Sequence, residues 1–190
     1  MAQTRDIIND KGEISREDYF FSAVKGNYPQ ALPTNRKVWK VWLLSLVTFG
    51  IYSIVIMFAM AKETNISCAD DGRHTRNFWG AILLSIITLG IYGLVWFYKW
   101  ADREFRFLQR HSPNGGILSG GGLLALMLVS MILSLGSQYA SSQAMYYGPS
   151  ILVMLLSIIQ LIWNIFVISK YLDQHNTVNR IYNLKNFCQK

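Results

Sequence analysis

One short segment of this chain carries side chains that could hold a metal ion. Residues 68–74 read CADDGRH and place Cys68, Asp70, Asp71 and His74 close together. Thiolate, carboxylate and imidazole groups are the usual ligands of zinc and other transition metals, but this spacing matches none of the established ligand patterns. Asp-Gly is instead typical of a solvated turn. We therefore predict no metal site and no cofactor.

No other arrangement of residues suggests catalysis. The sequence shows no paired nucleophile and base, and no glycine-rich loop that could cradle a phosphate. No ionisable residue lies well inside an apolar run, which argues against a proton-coupled carrier. The sequence therefore predicts a protein that is not an enzyme.

A set of uncharged polar side chains lies within the last apolar run. Ser157, Gln160 and Asn164 recur at helical spacing, so they share one face of a helix. Such a face could line a polar pore. The favoured interpretation is that it forms hydrogen bonds between helices, either inside one bundle or across a contact between subunits.

Long stretches without charge determine the predicted fold class. No Asp, Glu, Lys or Arg occurs in residues 41–61, 78–98 or 114–169. About 20 uncharged apolar residues suffice to cross a hydrocarbon layer of roughly 30 Å as a helix. We predict an all-α integral membrane protein, which has a polar N-terminal segment and a polar C-terminal tail. The predicted segments are the N-terminal segment 1–37, apolar runs 38–61, 78–100, 116–136 and 150–169, and the tail 170–190.

The positive charge predicts an orientation in the membrane. The net charge is +7, and the Lys and Arg residues lie at the ends of the apolar runs rather than among a stacking face, which excludes nucleic-acid binding. The loop 137–149 has no charge. Both termini and the loop 101–114 are therefore expected in the cytoplasm. The loop 62–77 is the exception, because it carries three cations yet would face outward if all four runs cross the membrane.

A basic and aromatic edge follows the second run. Lys99, Arg103, Arg106 and Arg110 alternate there with aromatic residues. The favoured interpretation is an aromatic belt with cations that extend to the membrane surface. The alternative is that this edge recruits anionic lipid or a cytoplasmic partner.

An apolar phrase occurs twice. LLSLVTFGIY at 43–52 recurs as LLSIITLGIY at 83–92, so each copy repeats Thr, Gly and Tyr at an offset of 40. A glycine loosens a helix, and a threonine hydroxyl can bond to the preceding turn, so the phrase permits a bend. The repeated residues are Thr48, Gly50 and Tyr52 in the first copy and Thr88, Gly90 and Tyr92 in the second.

Two architectures are compatible with this repeat. Each run is either a kinked helix that spans the membrane or a re-entrant hairpin that turns at the glycine and returns to the same side. The hairpin would place the loop 62–77 in the cytoplasm. Spanning helices are favoured, because re-entrant segments are tolerated only where protein shields them.

The third run is rich in small residues. Gly116 and Gly120 form a GxxxG pattern, which is typical of close helix packing. The partner helix belongs either to this chain or to a second copy.

The second copy of the phrase resembles a known family. TLGIYGLVWFYKW at 88–100 resembles a repeated unit in small multipass bacterial membrane proteins that carry a domain of unknown function. Trp96, Tyr98 and Lys99 match the aromatic end of that unit. The first copy lacks this end, but Glu63 and Asn65 match the polar tail of the unit. The resemblance covers roughly 38–110 and implies the bacterial inner membrane, without an activity.

These observations support a hypothesis about function. We expect a non-enzymatic scaffold or regulatory subunit of a membrane complex. The expected partners are the lipid bilayer and either a second copy, as a homo-oligomer, or another membrane protein. The alternative is an oligomeric channel, in which the face of Ser157, Gln160 and Asn164 lines the pore, or an effector that perturbs the membrane.

Overall fold

The computed structural model describes residues 31–112, 118–147 and 151–188, and every regular element in these ranges is helical. The all-helical class is therefore confirmed for the described part of the chain. Residues 1–30 of the predicted N-terminal segment and Gly116 lie outside the described residues. The α-helices are α1 (Val38–Val47), α2 (Ile51–Ser67), α3 (Phe78–Ile87), α4 (Ile91–His111), α5 (Gly120–Tyr147) and α6 (Ile151–Asn183). A 3-10 turn (Ala69–Asp71) follows α2, and a π-helical turn (Leu184–Cys188) follows α6.

Each of the first two apolar runs is a helical hairpin. In the second hairpin, the Trp96 indole of α4 donates to the carbonyl of Arg76, 20 residues earlier, at 2.9 Å. A continuous helix would separate these residues by about 30 Å. In the first hairpin, Arg36 pairs with Glu63, which follows it by 27 residues. Both runs therefore turn back on themselves, and the favoured interpretation as kinked spanning helices does not describe this structure.

The repeated threonine connects the two arms of each hairpin. The Thr88 hydroxyl donates to the Leu84 carbonyl at 2.7 Å, where α3 ends. The same oxygen accepts the N–H of Tyr92 at 2.9 Å, where α4 begins. Thr48 makes the equivalent pair of bonds at the first tip, at 2.7 and 3.0 Å. One side chain thus satisfies backbone groups on both sides of the turn.

The repeated glycine makes the reversal sterically accessible. Gly50 and Gly90 have φ of 86° and 91°, in the left-handed region that glycine adopts without strain. Phe49 and Leu89, the preceding residues, also have positive φ and are 98% and 93% exposed. The repeated phrase therefore encodes the tip of a hairpin, and the most exposed side chains of each tip are apolar.

Two helices are long and apolar enough to cross a membrane. These segments are Gly120–Gln143 in α5 and Val153–Asn186 in α6 and its continuation. The two helices contact each other, since the Trp163 indole donates to the Leu126 carbonyl at 3.3 Å. Much of their apolar surface is exposed, which fits a protein that associates with membranes.

The polar end of the molecule lies opposite the hairpin tips. We call this end the polar base, and it comprises residues 31–37, 62–77, 99–112, 118–119 and 170–183. Helix α6 continues without a break into it, so residues 170–183 are packed helix rather than a separate tail. A hydrophobic cluster that includes Trp96 and Trp100 lies next to it. The buried polar side chains of the polar base include Glu63, Thr64, Ser67, Arg103, Glu104, Gln174, His175, Asn176, Asn179 and Asn183.

Candidate functional site

A histidine lies between two carboxylates in the polar base. His175, on α6, is fully buried. Its Nδ1 is 2.7 Å from Glu104 Oε1, and its Nε2 is 3.0 Å from Glu63 Oε2. Because carboxylates only accept hydrogen bonds, both ring nitrogens donate and the ring is an imidazolium. We call Arg36, Glu63, Glu104 and His175 the charged hub.

Glu63 is held in its ionised form. The Arg36 guanidinium donates to both carboxylate oxygens, and Asn179 Nδ2 donates to Oε2 at 2.9 Å. Burial by itself raises the pKa of Glu63, but the hydrogen bonds and charges of His175 and Arg36 outweigh it and lower the pKa from 4.5 to about 2. This carboxylate therefore stays charged at neutral pH.

Glu104 receives three donors on one oxygen. Its Oε1 accepts the Thr64 hydroxyl at 2.7 Å and the Trp100 indole at 3.0 Å, in addition to His175. The charged hub thus joins α2, α4, α6 and the segment before α1. It contains two positive and two negative groups, which allows the charges to remain buried.

Arg103 forms a second buried network beside the charged hub. Its side chain is buried and donates to the Asp71 carboxylate at 2.8 Å and to Asn65 Oδ1 at 2.6 Å. It also donates to the backbone carbonyls of Cys68 and Arg73. The planar guanidinium carries five N–H donors, so one side chain can fix the whole loop 68–75 against α4.

The predicted basic edge therefore divides into two kinds of residue. Lys99, Arg106 and Arg110 are exposed, as a basic membrane edge requires. Arg103 is not part of such an edge, because the loop after α2 covers it and uses its donors. The sequence interpretation of Arg103 is thus corrected by a contact with a distant segment.

The segment CADDGRH is organised by Arg103. Asp71 pairs with Arg103, and Cys68 is fully buried. Burial, together with the nearby Glu104 charge, raises the pKa of the Cys68 thiol to about 12, so it is unreactive at neutral pH. Within residues 31–112, 118–147 and 151–188, no three His, Cys, Asp or Glu side chains are arranged to hold a metal ion.

Carboxamide side chains hold the non-helical segments of the polar base. Each of four amides accepts from the backbone N–H and donates to the backbone C=O of one residue, at distances of 2.7–3.2 Å. These backbone groups have no helical partner, so the amides satisfy them. The pairs are Asn183 with Leu32, Asn176 with Arg36, Gln174 with Leu118 and Asn65 with Thr75.

The predicted polar face lies on α6, away from the charged hub. Ser157 Oγ is 3.4 Å from Ser137 Oγ on α5, a contact between helices of the same chain. Gln160 and Asn164 are half-buried, and neither side chain forms a hydrogen bond with another residue of the described ranges. Their part in a contact between subunits or in a pore stays a prediction.

Gly120 lies at a close approach between two helices. A Cβ atom there would lie 2.5 Å from the Tyr98 carbonyl oxygen and 2.7 Å from Asp102 Cβ. The helix that requires a small residue at this position is α4 of the same chain.

The charged hub and the amide pairs are not recognised from the sequence, because the segment 170–190 is predicted to be a polar C-terminal tail. A signal was nevertheless present. His175 and Asn179 lie four residues apart, and Asn176 and Asn183 lie seven apart, so each pair falls on one side of a helix. The match of Glu63 to the polar tail of the repeated unit was a second hint.

Comparison with known proteins assigns the chain to a family. The domain of unknown function DUF4234 matches residues 36–79 and, a second time, residues 76–183. The first match covers the first hairpin, and the second extends from the second hairpin to the end of α6. A search of curated proteins and a search of solved structures each found no match. Since the matched residues make up most of the chain, the protein belongs to the family of the domain of unknown function DUF4234.

Proposed function

We propose that this protein is a non-enzymatic scaffold of the bacterial inner membrane, which presents the polar base as a rigid basic platform to cytoplasmic or membrane partners. In this arrangement α5 and α6 cross the bilayer. The two hairpins enter only its cytoplasmic half, and the polar base and both termini lie in the cytoplasm. The proposal has a structural part, which concerns the membrane, and a functional part, which concerns the platform.

The size and surface of the hairpins support their insertion into one leaflet. Helix α3 has 10 residues and is therefore about 15 Å long, half of a hydrocarbon layer of about 30 Å. At its tip Ile87 is 76% exposed and Leu89 is 93% exposed. Backbone groups in lipid need hydrogen-bond partners within the protein, and the turn provides one, since the Gly90 N–H donates to the Ser85 carbonyl at 2.6 Å.

The distribution of cations supports the orientation. Every Lys and Arg lies outside residues 41–61, 78–98 and 114–169. With hairpins in place of two spans, the loop 62–77 returns to the same side as the other basic segments. The connection between α5 and α6, which carries no charge, then lies on the opposite side of the membrane from the basic segments. The rule that positive charge remains in the cytoplasm is then obeyed without exception.

The observation that carries the functional part is that the buried charges of the polar base neutralise one another, while exposed cations remain on its surface. The side chains of the charged hub bind one another, and Glu63 joins segments as far apart as Arg36 and Asn179. Arg103 separately binds Asp71 and nearby backbone carbonyls. Most polar atoms of these side chains have a partner, although Glu104 Oε2 and Asn179 Oδ1 are buried without one among the described residues. A buried polar network that is largely satisfied favours one rigid arrangement. Such a network provides a fixed shape for docking rather than a set of free groups for chemistry.

Cysteine labelling tests the membrane arrangement. Cysteine variants are made at His74, which is exposed in the polar base, and at Ser142, which is exposed at the far end of α5, with Cys188→Ser in both. We expect a membrane-impermeant maleimide to label Ser142→Cys in intact cells and to label His74→Cys only after permeabilisation. Cys68 serves as the buried internal control. Labelling of His74→Cys from outside would refute the arrangement.

Site-specific photo-crosslinking in intact cells tests the platform. A photoreactive residue replaces Gln109 or Asn186, which are exposed in the polar base, or Phe49 or Leu89 at the tips. We expect discrete protein adducts from the two base positions and only lipid adducts from the tips, which serve as the matched control. Lipid adducts alone from all four positions would refute a scaffold.

That last outcome would favour a second candidate, an effector that shapes the membrane. In the proposed arrangement six helices occupy the cytoplasmic leaflet and two occupy the opposite leaflet. Each helix is about 10 Å wide, so the protein is a wedge that expands one leaflet. This asymmetry of the proposed arrangement, which follows from the four short hairpin helices beside two long ones, favours the second candidate.

A further inference from the structure

We infer that an anionic phospholipid binds in a cleft on one side of the second hairpin, an inference that rests on the membrane arrangement proposed above. The cleft has a volume of about 520 Å³ and lies between residues 73–76 and one face of α4. It is distinct from the charged hub, although Arg103 contributes to its wall.

The lining of the cleft changes from apolar to cationic along α4. Tyr92, Val95 and Trp96 line the part nearer the hairpin tip, and Lys99 lines the part nearer the polar base. Tyr92 and Lys99 are separated by about 10 Å along the helix. Residues 73–76 close the cleft at its basic end. An apolar surface at lipid depth with cations at the membrane surface complements an acyl chain and its anionic headgroup.

Three cations of the cleft are available to a ligand. Arg73, Arg76 and Lys99 are exposed, and none forms an ion pair with a residue of the described ranges. The remaining charges are engaged, because Arg103 pairs with Asp71 and because Asp102 pairs with the exposed Arg106 at 2.8 Å. The cleft therefore has an excess of positive charge that its own side chains do not neutralise.

The backbone that carries these cations is fixed. The Arg76 carbonyl accepts the Trp96 indole at 2.9 Å, and the Arg73 carbonyl accepts Arg103. Asn65 binds both backbone groups of Thr75, which lies between them. A cation-bearing segment held by three such contacts is preorganised, so little ordering is required when a ligand binds.

The first hairpin lacks the equivalent cleft cation, which makes the site specific to the second. Lys99 corresponds to Ala59 at the offset of 40, and Trp96 corresponds to Ile56. A general attraction of cations for the membrane would not distinguish the two hairpins. The second alone combines a free lysine, an indole that fixes the neighbouring backbone and two arginines.

Lipid binding to the purified protein tests the inference. The full chain is delipidated in detergent and titrated with short-chain phosphatidylglycerol or phosphatidylcholine, and binding is followed by native mass spectrometry. We expect phosphatidylglycerol to bind more tightly than phosphatidylcholine.

A variant with Arg73→Gln, Arg76→Gln and Lys99→Gln should lose on the order of 100-fold in affinity for phosphatidylglycerol. A control that removes the same charge elsewhere, with Lys37→Gln, Arg110→Gln and Lys185→Gln, should change the affinity by about twofold or less. Equal losses in both variants would overturn the cleft as the site.

A further arm separates a lipid from a free phosphate. Glycerol 3-phosphate carries an anionic headgroup without acyl chains, and we expect it to bind far more weakly than phosphatidylglycerol. Val95, which is 41% exposed, supplies apolar surface, so Val95→Asn should weaken lipid binding but not the binding of glycerol 3-phosphate. If glycerol 3-phosphate and phosphatidylglycerol bind with equal affinity, the ligand of the cleft is a soluble phosphate and not a lipid. If phosphatidylglycerol and phosphatidylcholine bind equally well while His74→Cys and Ser142→Cys are labelled as expected, only the lipid site is wrong. If His74→Cys is labelled from outside the cell, the membrane arrangement itself is wrong.

Discussion

Replacing His175 with leucine should lower the free energy of unfolding by about 3–5 kcal/mol, because it leaves buried carboxylates without the cation between them. Glu63 would keep Arg36, but Glu104 would lose its only charged partner in the charged hub. The residue is fully buried, so water cannot replace the lost charge. Unfolding of the detergent-solubilised protein, followed by far-ultraviolet circular dichroism, measures the effect.

A second histidine provides the matched control. His74 is exposed in the polar base, so His74→Leu should change the free energy of unfolding by no more than about 0.5 kcal/mol. A His175→Leu protein with the stability of the His74→Leu control would show that the charged hub does not stabilise the fold.

Acid titration adds a readout that simple loss of packing would not change. The folded pKa of Glu63 is about 2 and its ordinary value is 4.5, because His175 and Arg36 offset the effect of burial. Its stabilising contribution is therefore fully present above pH 4.5 and is lost as the pH falls towards 2. Since His175→Leu removes part of the cause, the stability of that variant should depend less steeply on pH in this window.

Replacing Arg103 with methionine should also lower the free energy of unfolding by about 3–5 kcal/mol, because the Asp71 carboxylate loses its cation and two backbone carbonyls lose a donor. Arg106 is the control, since it lies on the same helix but is exposed and pairs with Asp102. Arg106→Met should cost no more than about 1 kcal/mol, as is typical of surface ion pairs. Thermal unfolding in detergent compares the two variants.

The buried thiol reports whether the effect of Arg103 is local. Cys68 is fully buried, and its carbonyl accepts from Arg103 at 3.0 Å. In a Cys188→Ser background, a soluble maleimide should label Cys68 slowly in the parent protein and much faster in the Arg103→Met variant. Cys68 should also be labelled fast in the Arg103→Lys variant, because an ammonium group cannot reproduce the donor geometry of the planar guanidinium. If Cys68 stays protected in Arg103→Met, the loop 68–75 is held by other contacts and our interpretation of Arg103 is wrong.

The local features of the fold could be predicted because they depend on neighbouring residues. The uncharged runs identified the apolar helices, and the repeated Thr-x-Gly identified the place where each run departs from a helix. Both the threonine bonds and the left-handed glycine act within a few residues of the tip. The sequence therefore located the turns at Gly50 and Gly90, but it did not decide between a bend and a complete reversal.

The choice between a bend and a reversal belongs to the tertiary structure. The bond from Trp96 to Arg76 closes the second hairpin across 20 residues, and no local pattern specifies it. The same limit applies to Arg103, which resembles its exposed neighbours in sequence and is distinguished only by the loop that covers it.

The sequence by itself determined the helical class, the apolar runs and the positions of the hairpin tips, because hydrophobic length and turn chemistry are local properties. Only the tertiary structure decided that the polar end of α6 is buried rather than solvated. His175 contacts Glu63 across 112 residues and Glu104 across 71, so the charges compensate one another only when α2, α4 and α6 are packed together. A charged side chain is stable in the interior only beside its partner, and the sequence does not show which distant residue that partner will be.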